Sequence, residues 1–272
     1  MNASVKSRIN PITAYIDGVG LLGPGLTDWP NSRACLSGKA AYQHQATILP
    51  APASLPPAER RRCGPIVKLS LGVGYEAATM AGLDVISLPT VFSASGGDGK
   101  NCHEICEMLA SDDRLISPTR FHNSVHNAAA GYWSIAAGAT ATSSVLCAYD
   151  ASFGAGLLEA LAQLVVDRTP CLLIACDTRY PAPLFATRPI ADEFGIGLAL
   201  SPVRGERSLA QISVSLTTEP ADVLASEAFE QVRRNIPAAR SLPLLIALAR
   251  GEACRLVLDY LPNQRLLVEL SQ

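Results

Sequence analysis

Two groups of residues in this sequence have the types and spacing to do chemistry. The first is a single thiol, Cys147, where the run SSVLCAY meets the start of a helical repeat. A thiol at a strand end beside a helix N-terminus sits in positive potential, which favours the nucleophilic thiolate. The bland reading makes Cys147 a small core residue in mid-strand, and LCAYDASF supplies it no neighbouring base. The second group is Cys102, Cys106, His122 and His126, a C-x3-C and H-x3-H set close to structural-zinc spacing. A zinc-bound scaffold is the reading it offers. Against it, the two cysteines fall one turn apart on a predicted helix, and the chain is apolar enough to fold without metal. No metal and no cofactor are expected.

Three weaker signals surround these. Asp150 reads as a cap for a helix opening at Ala151 or Ser152, with Ser152 a second candidate cap. Ser143, Ser144 and Ser152 offer hydroxyls, but no G-x-S-x-G surrounds them. Gly18, Gly20 and Gly23 match G-x-G-x-x-G, yet Pro24-Gly25 breaks the chain where a dinucleotide fold starts its helix. A strand ending in a tight turn explains them better.

The elements that must position these residues run from Ser117 to Asp177: polar loop, small-residue helix, strand (145–149), sharp turn, long helix (152–166), buried strand (171–176). Phe153, Leu157, Leu161 and Val165 recur at helical spacing, and this helix is expected to be the most buried. Upstream, the pattern predicts a strand at 12–19, helices at 28–36 and 65–81, a strand at 90–94 and a helix at 101–110, with Gly82 ending the second helix. Downstream it predicts paired strands at 194–200 and 210–216, helices at 222–235 and 242–249, and a hairpin of 255–260 with 265–270. The alternation argues α/β, a mainly parallel sheet with helices on both faces.

The chain has 272 residues, 49% hydrophobic and 17% charged, with net charge −2. That balance gives no reason to expect nucleic acid or an anionic membrane. Eight cysteines are scattered without a secreted-type framework. The start MNASVKSRINPITAY has no apolar leader core, and no apolar run reaches membrane-spanning length. A cytoplasmic setting is the expectation.

The segments SPTRFHNSVHNAAAGYWSIA (117–136), AYDASF (148–153), GLLEA (156–160) and PCLLIACD (170–177), with RPI and FGIGLALSP further on, carry a resemblance. They resemble the β-ketoacyl synthases of fatty acid and polyketide assembly, and within them the short chain length factors of aryl polyene clusters. The resemblance covers about residues 12–216 and implies one thiolase-like, C-terminally shortened domain over 1–272, with 217–272 an extension. In that family this strand and helix flank the catalytic cysteine. Counted forward from Gly138, its place falls at Cys147; counted back from the 172–175 strand, it falls at Asp150 or Ala151. The flanking residues favour the second count, making Asp150, Ala151 and Ser152 a degenerate active-site turn. The family's enzymes also bring histidines from their C-terminal half, whereas the last of this sequence's four histidines is His126.

The resemblance therefore implies a non-catalytic subunit that pairs with a separate catalytic ketosynthase and reaches an acyl carrier protein through that complex. An active condensing enzyme or acyltransferase using Cys147 is the alternative. The strand beside the turn is a usual contact in ketosynthase dimers, so Thr142, Ser143, Ser144 and Val145 are the expected interface. No Asp, Glu, Lys, Arg or His occurs from Asn127 to Tyr149. The charged run Glu59–Arg62 reads as a solvated helix start, with a carrier-protein contact as its functional alternative.

Overall fold

The computed structural model describes residues 11–272, so the opening ten residues, on which most of the leader-peptide reading rests, lie outside it. In chain order the elements are β1 (Ile12–Leu22), α1 (Trp29–Leu36), α2 (Pro57–Arg62), α3 (Pro65–Ala81), β2 (Thr90–Ser93), α4 (Gly99–Ala110), α5 (Pro118–His122), α6 (Ala128–Ala137) and β3 (Ser143–Leu146). There follow α7 (Ser152–Asp167), β4 (Cys171–Asp177), α8 (Ala182–Thr187), β5 (Phe194–Ser201), β6 (Ala210–Thr217), α9 (Glu227–Asn235), α10 (Leu242–Arg250), β7 (Cys254–Leu261) and β8 (Gln264–Ser271).

The eight strands among the described residues join one sheet in the order β3-β2-β4-β5-β1-β6-β8-β7. The expectation of a mainly parallel sheet is corrected. Only β3–β2 and β2–β4 are parallel; the other five junctions are antiparallel. The expected pairing of β5 with β6 is corrected too. Successive strands usually neighbour one another, but β1 lies between these two, Ile16 facing Leu200 on one side and Ala210 on the other. The terminal β7–β8 hairpin forms as read and joins the β6 edge.

Helices cover both faces. On one, α3 and α6 pack through Leu69, Val73, Ala77, Tyr132 and Trp133; on the other, α7, α1, α9 and α10 pack through Phe153, Leu157, Trp29, Phe229 and Leu245. The glycines of β1 belong to the first face. A Cβ on Gly18 or Gly20 would overlap the main-chain carbonyls of Ala77 or Val73 in α3. The G-x-G pattern thus seats a helix against a strand; the strand runs on to Leu22 and then turns at a Gly23–Leu26 bridge.

Helix α3 has ten of its 17 residues buried and α7 eight of 16, so α3, not α7, is the more deeply packed. On α7 the buried stripe is Phe153, Leu157, Leu161 and Leu164, while Val165 is 49% exposed, because the true helical period rotates it outward. The α9 helix starts at Glu227, not Asp222: Ser226 caps it, and Asp222 is drawn away as a strap onto Val257 of β7. Glu230 of α9 is buried, bonded by Arg233 and Arg234, and Arg233 also reaches Asp259 of β7. No helix among the described residues is long and apolar enough to cross a membrane.

Candidate functional site

The parallel strands β2, β3 and β4 end together, and the residues just past their C-termini form the candidate site. Strand β3 stops at Leu146 because its partner β2 stops at Ser93. Cys147 is therefore beyond the strand, not in its middle as the bland reading had it. It is exposed, and its thiol donates to the Ser95 carbonyl at 3.2 Å.

A single helical turn, Tyr149–Ala151, then leads into α7. Tyr149 has φ +53°, a left-handed conformation uncommon outside glycine. Two contacts hold the turn. The Arg188 guanidinium lies 3.8 Å from the Tyr149 ring centroid. The Ser152 hydroxyl donates to the Tyr149 carbonyl at 2.7 Å and accepts from the Ala148 N–H at 3.0 Å. Ser152 is thus the first residue of α7 and bonds backward; it is not the cap.

Asp150 is not a cap either. Its carboxylate accepts from Arg188 at 2.5 Å and from Arg240 at 3.1 Å. Both arginines are largely buried, Arg188 after α8 and Arg240 in the turn Pro237–Ser241. Behind them Asp177, at the end of β4, accepts from the Ser95 N–H at 2.9 Å, the Ser95 hydroxyl at 2.5 Å and the Ala238 N–H at 2.7 Å. Burial pushes Asp177 up to about 6, against the opposing pull of these donors and of Arg188. Asp177 thereby ties the ends of β2 and β4 to the segment that carries Arg240.

Sequence reasoning found Asp150, Ala151 and Ser152 but not Arg188, Arg240, Ser95 or Asp177. Arg188 sat inside the resemblance motif RPI, the one signal that pointed its way.

The expected interface residues lie on the outer strand β3 or, for Thr142, just before it. Thr142 and Ser143 are exposed and Ser144 and Val145 half-buried. The Ser144 hydroxyl accepts from the Gln163 amide of α7 at 2.8 Å, whereas Val145 packs toward the α3–α6 layer.

The candidate metal residues do not converge. Cys102 and Cys106 lie exposed on α4, and His122 ends α5. His126 lines a small cavity under Phe92, Val145 and Cys176, and its Nε2 has no hydrogen-bond partner among the described residues. Among the described residues no three His, Cys, Asp or Glu side chains gather as metal ligands.

Alongside, a cleft of about 530 Å³ opens between the α2–α3 junction, α4 and α5. Arg61, Arg62, Lys68, Lys100 and Arg120 line it, with only Asp98 and Glu104 of opposite charge. Glu104 is paired with Arg120, and Asp98 caps α4.

The fold is that of several solved assemblies. A chain of the ketosynthase ApeO in complex with its chain length factor ApeC, from Xenorhabdus doucetiae, is 22% identical with TM-score 0.72, over 94% of this chain and 99% of that one. The ishigamide ketosynthase/chain length factor gives 14% and 0.70, over 95% and 99%. The AntDE:AntF complex, a type II polyketide acyl-carrier protein with its ketosynthase, gives 10% and 0.74, over 96% and 99%. No curated protein matches the sequence. The family described as β-ketoacyl synthase, N-terminal domain, matches residues 29–257. With that match over most of its length and this thiolase-like architecture, the chain belongs to the β-ketoacyl synthase N-terminal domain family.

Proposed function

We propose that the chain is a non-catalytic ketosynthase-like subunit, a chain length factor that pairs with a catalytic ketosynthase and meets an acyl carrier protein through that complex. Asp150 carries the reading. The count back from β4 puts the place of the family's nucleophile at Asp150 or Ala151, and the Asp150 carboxylate is committed to Arg188 and Arg240. A carboxylate held by two guanidiniums is neither an acyl acceptor nor a free base. No histidine follows His126 to stabilise an enolate or oxyanion.

Two further features support the partners. Strand β3 is an outer strand in a stretch without charged residues, the composition of an obligate interface centre. The basic cleft gathers five cations in a chain of net charge −2, a field that steers acidic partners such as a carrier protein. The finer assignment, aryl polyene formation in the cytoplasm, rests on the resemblance of the quoted motifs.

One observation favours the rival reading, an active condensing enzyme or acyltransferase: the Cys147 thiol is exposed near the α7 N-terminus. The test addresses both. The chain expressed alone is expected to be poorly soluble, and co-expressed with a ketosynthase to elute as a one-to-one complex. Cys147→Ala should leave condensation by that complex within a few-fold of wild type. If Cys147→Ala abolishes condensation while the complex stays assembled, the non-catalytic reading fails.

A further inference from the structure

Helix α4 carries two thiols that the candidate site does not use. Cys102 and Cys106 are four residues apart, so they share one stripe of the helix with Cβ atoms about 5–6 Å apart. Both are exposed. Partial burial first, then the neighbouring Cys106, pushes the Cys102 thiol up.

The rest of α4 is already engaged. Lys100 reaches Glu104 at 4.0 Å, His103 Nε2 lies 3.3 Å from Glu107, and Asp98 accepts from the Asn101 N–H at 3.0 Å. The other cysteines are buried or half-buried except Cys147, which stands alone.

This geometry selects what the pair can hold. A disulfide needs Cβ atoms about 3.5–4.5 Å apart, closer than a regular helix brings them at this spacing. Tetrahedral zinc needs at least three protein ligands, and among the described residues three do not gather. One bridging atom bonded to both sulfurs fits the gap without unwinding the helix. The guest must therefore be soft, thiophilic and satisfied by two sulfurs.

We propose that Cys102 and Cys106 form a bidentate site for trivalent organoarsenicals, whose third valence is filled by their own carbon. With phenylarsine oxide, two As–S bonds form as the arsenic–oxygen bonding is lost. The oxygen leaves as water with the two thiol protons, and no atom changes oxidation state. Lys100, Asn101 and Glu104 line the basic cleft and the two cysteines do not, so the guest sits on the side of α4 turned away from that cleft. The proposal does not depend on the chain-length-factor reading.

The test uses the full chain, titrated with phenylarsine oxide while free thiols are counted and the adduct is mapped by mass spectrometry. One equivalent should remove two thiols and map to residues 102 and 106, and a competing small dithiol should reverse it. Cys102→Ser and Cys106→Ser should each weaken binding by about 100-fold or more, the loss expected when a two-point attachment becomes one-point. Cys147→Ala should bind as wild type does. Wild-type binding by either serine variant, or an adduct mapped elsewhere, overturns the site. Should a serine variant misfold, the mapped position on the wild-type chain decides.

Discussion

The two outer strands of the sheet are finished differently. On β7 the strap is Asp222: its N–H donates to the Val257 carbonyl, and its carboxylate accepts the Val257 N–H at 2.8 Å. One residue thus imitates a neighbouring strand. The register of β7 also breaks between Leu258 and Leu261, and Arg255 pairs with Glu219 beside it. Natural edges are blunted by covering segments, bulges and charge, and β7 has all three. Strand β3 has four regular residues, lies within the charge-free stretch Asn127–Tyr149, and has nothing paired to its outer side among the described residues. The chain covers β7 and leaves β3 bare among the described residues, the edge that the proposed pairing with a ketosynthase would use.

The largest expected effect follows directly. Ser144→Arg should abolish co-elution with a ketosynthase, because an unpaired charge buried at an interface costs several kcal/mol, about the penalty of a broken buried pair. Leu261→Lys on β7 should leave co-elution intact. If both variants co-elute as wild type does, the contrast between the edges has no functional meaning.

Next comes the anchor beneath the protected edge. Glu230 is 1% exposed and bound by Arg233, which also reaches Asp259 of β7. Arg233→Ala should lower unfolding stability in urea by about 3–5 kcal/mol, since it strands a buried carboxylate. A loss below about 1 kcal/mol, the range of surface pairs, would remove this ion network from the account.

The ion network beneath β7 and the buried carboxylate at the end of β4 answer pH in opposite directions. Hydrogen bonding from Arg233 pulls Glu230 down to about 2, so its stabilisation is complete above about 4.5 and disappears as pH falls through 2. Burial raises Asp177 to about 6, so the folded state binds a proton that the unfolded chain has released. Its contribution therefore favours folding increasingly as pH falls from above 6 toward 4. Asp177→Asn should flatten that slope in urea melts at pH 4 to 7; an unchanged slope assigns it to another group.

Smaller still, Asp222→Ala should cost about 1–2 kcal/mol, the price of one buried N–H left unmade. It should also raise self-association in analytical ultracentrifugation by unmasking β7. A variant as monodisperse as wild type shows that the bulge and charge suffice without the strap.

Much of this architecture was legible because local patterns carry it. Asp28 and Gly82 marked helix ends, and the unbroken apolar run at Cys171 marked a strand buried on both faces. Other features depend on distance along the chain. Arg188 and Arg240 reach Asp150 across 38 and 90 residues, so nothing local to AYDASF announces them. The eight-residue gap between β5 and β6 looks like a hairpin loop, and only the folded sheet reveals β1 between them. The start of α9 was misjudged because Asp222 bonds to β7, a tertiary contact that helix propensity does not register.

The central position of β1 has a consequence during synthesis. This strand leaves the ribosome first, yet both of its neighbours, β5 and β6, lie after residue 193. At about 5–20 residues per second, its eleven residues wait about 10–40 s for their partners. Through that interval an apolar strand with glycines open to backbone contact has no strand partner, the kind of exposed edge that makes folding intermediates prone to aggregate.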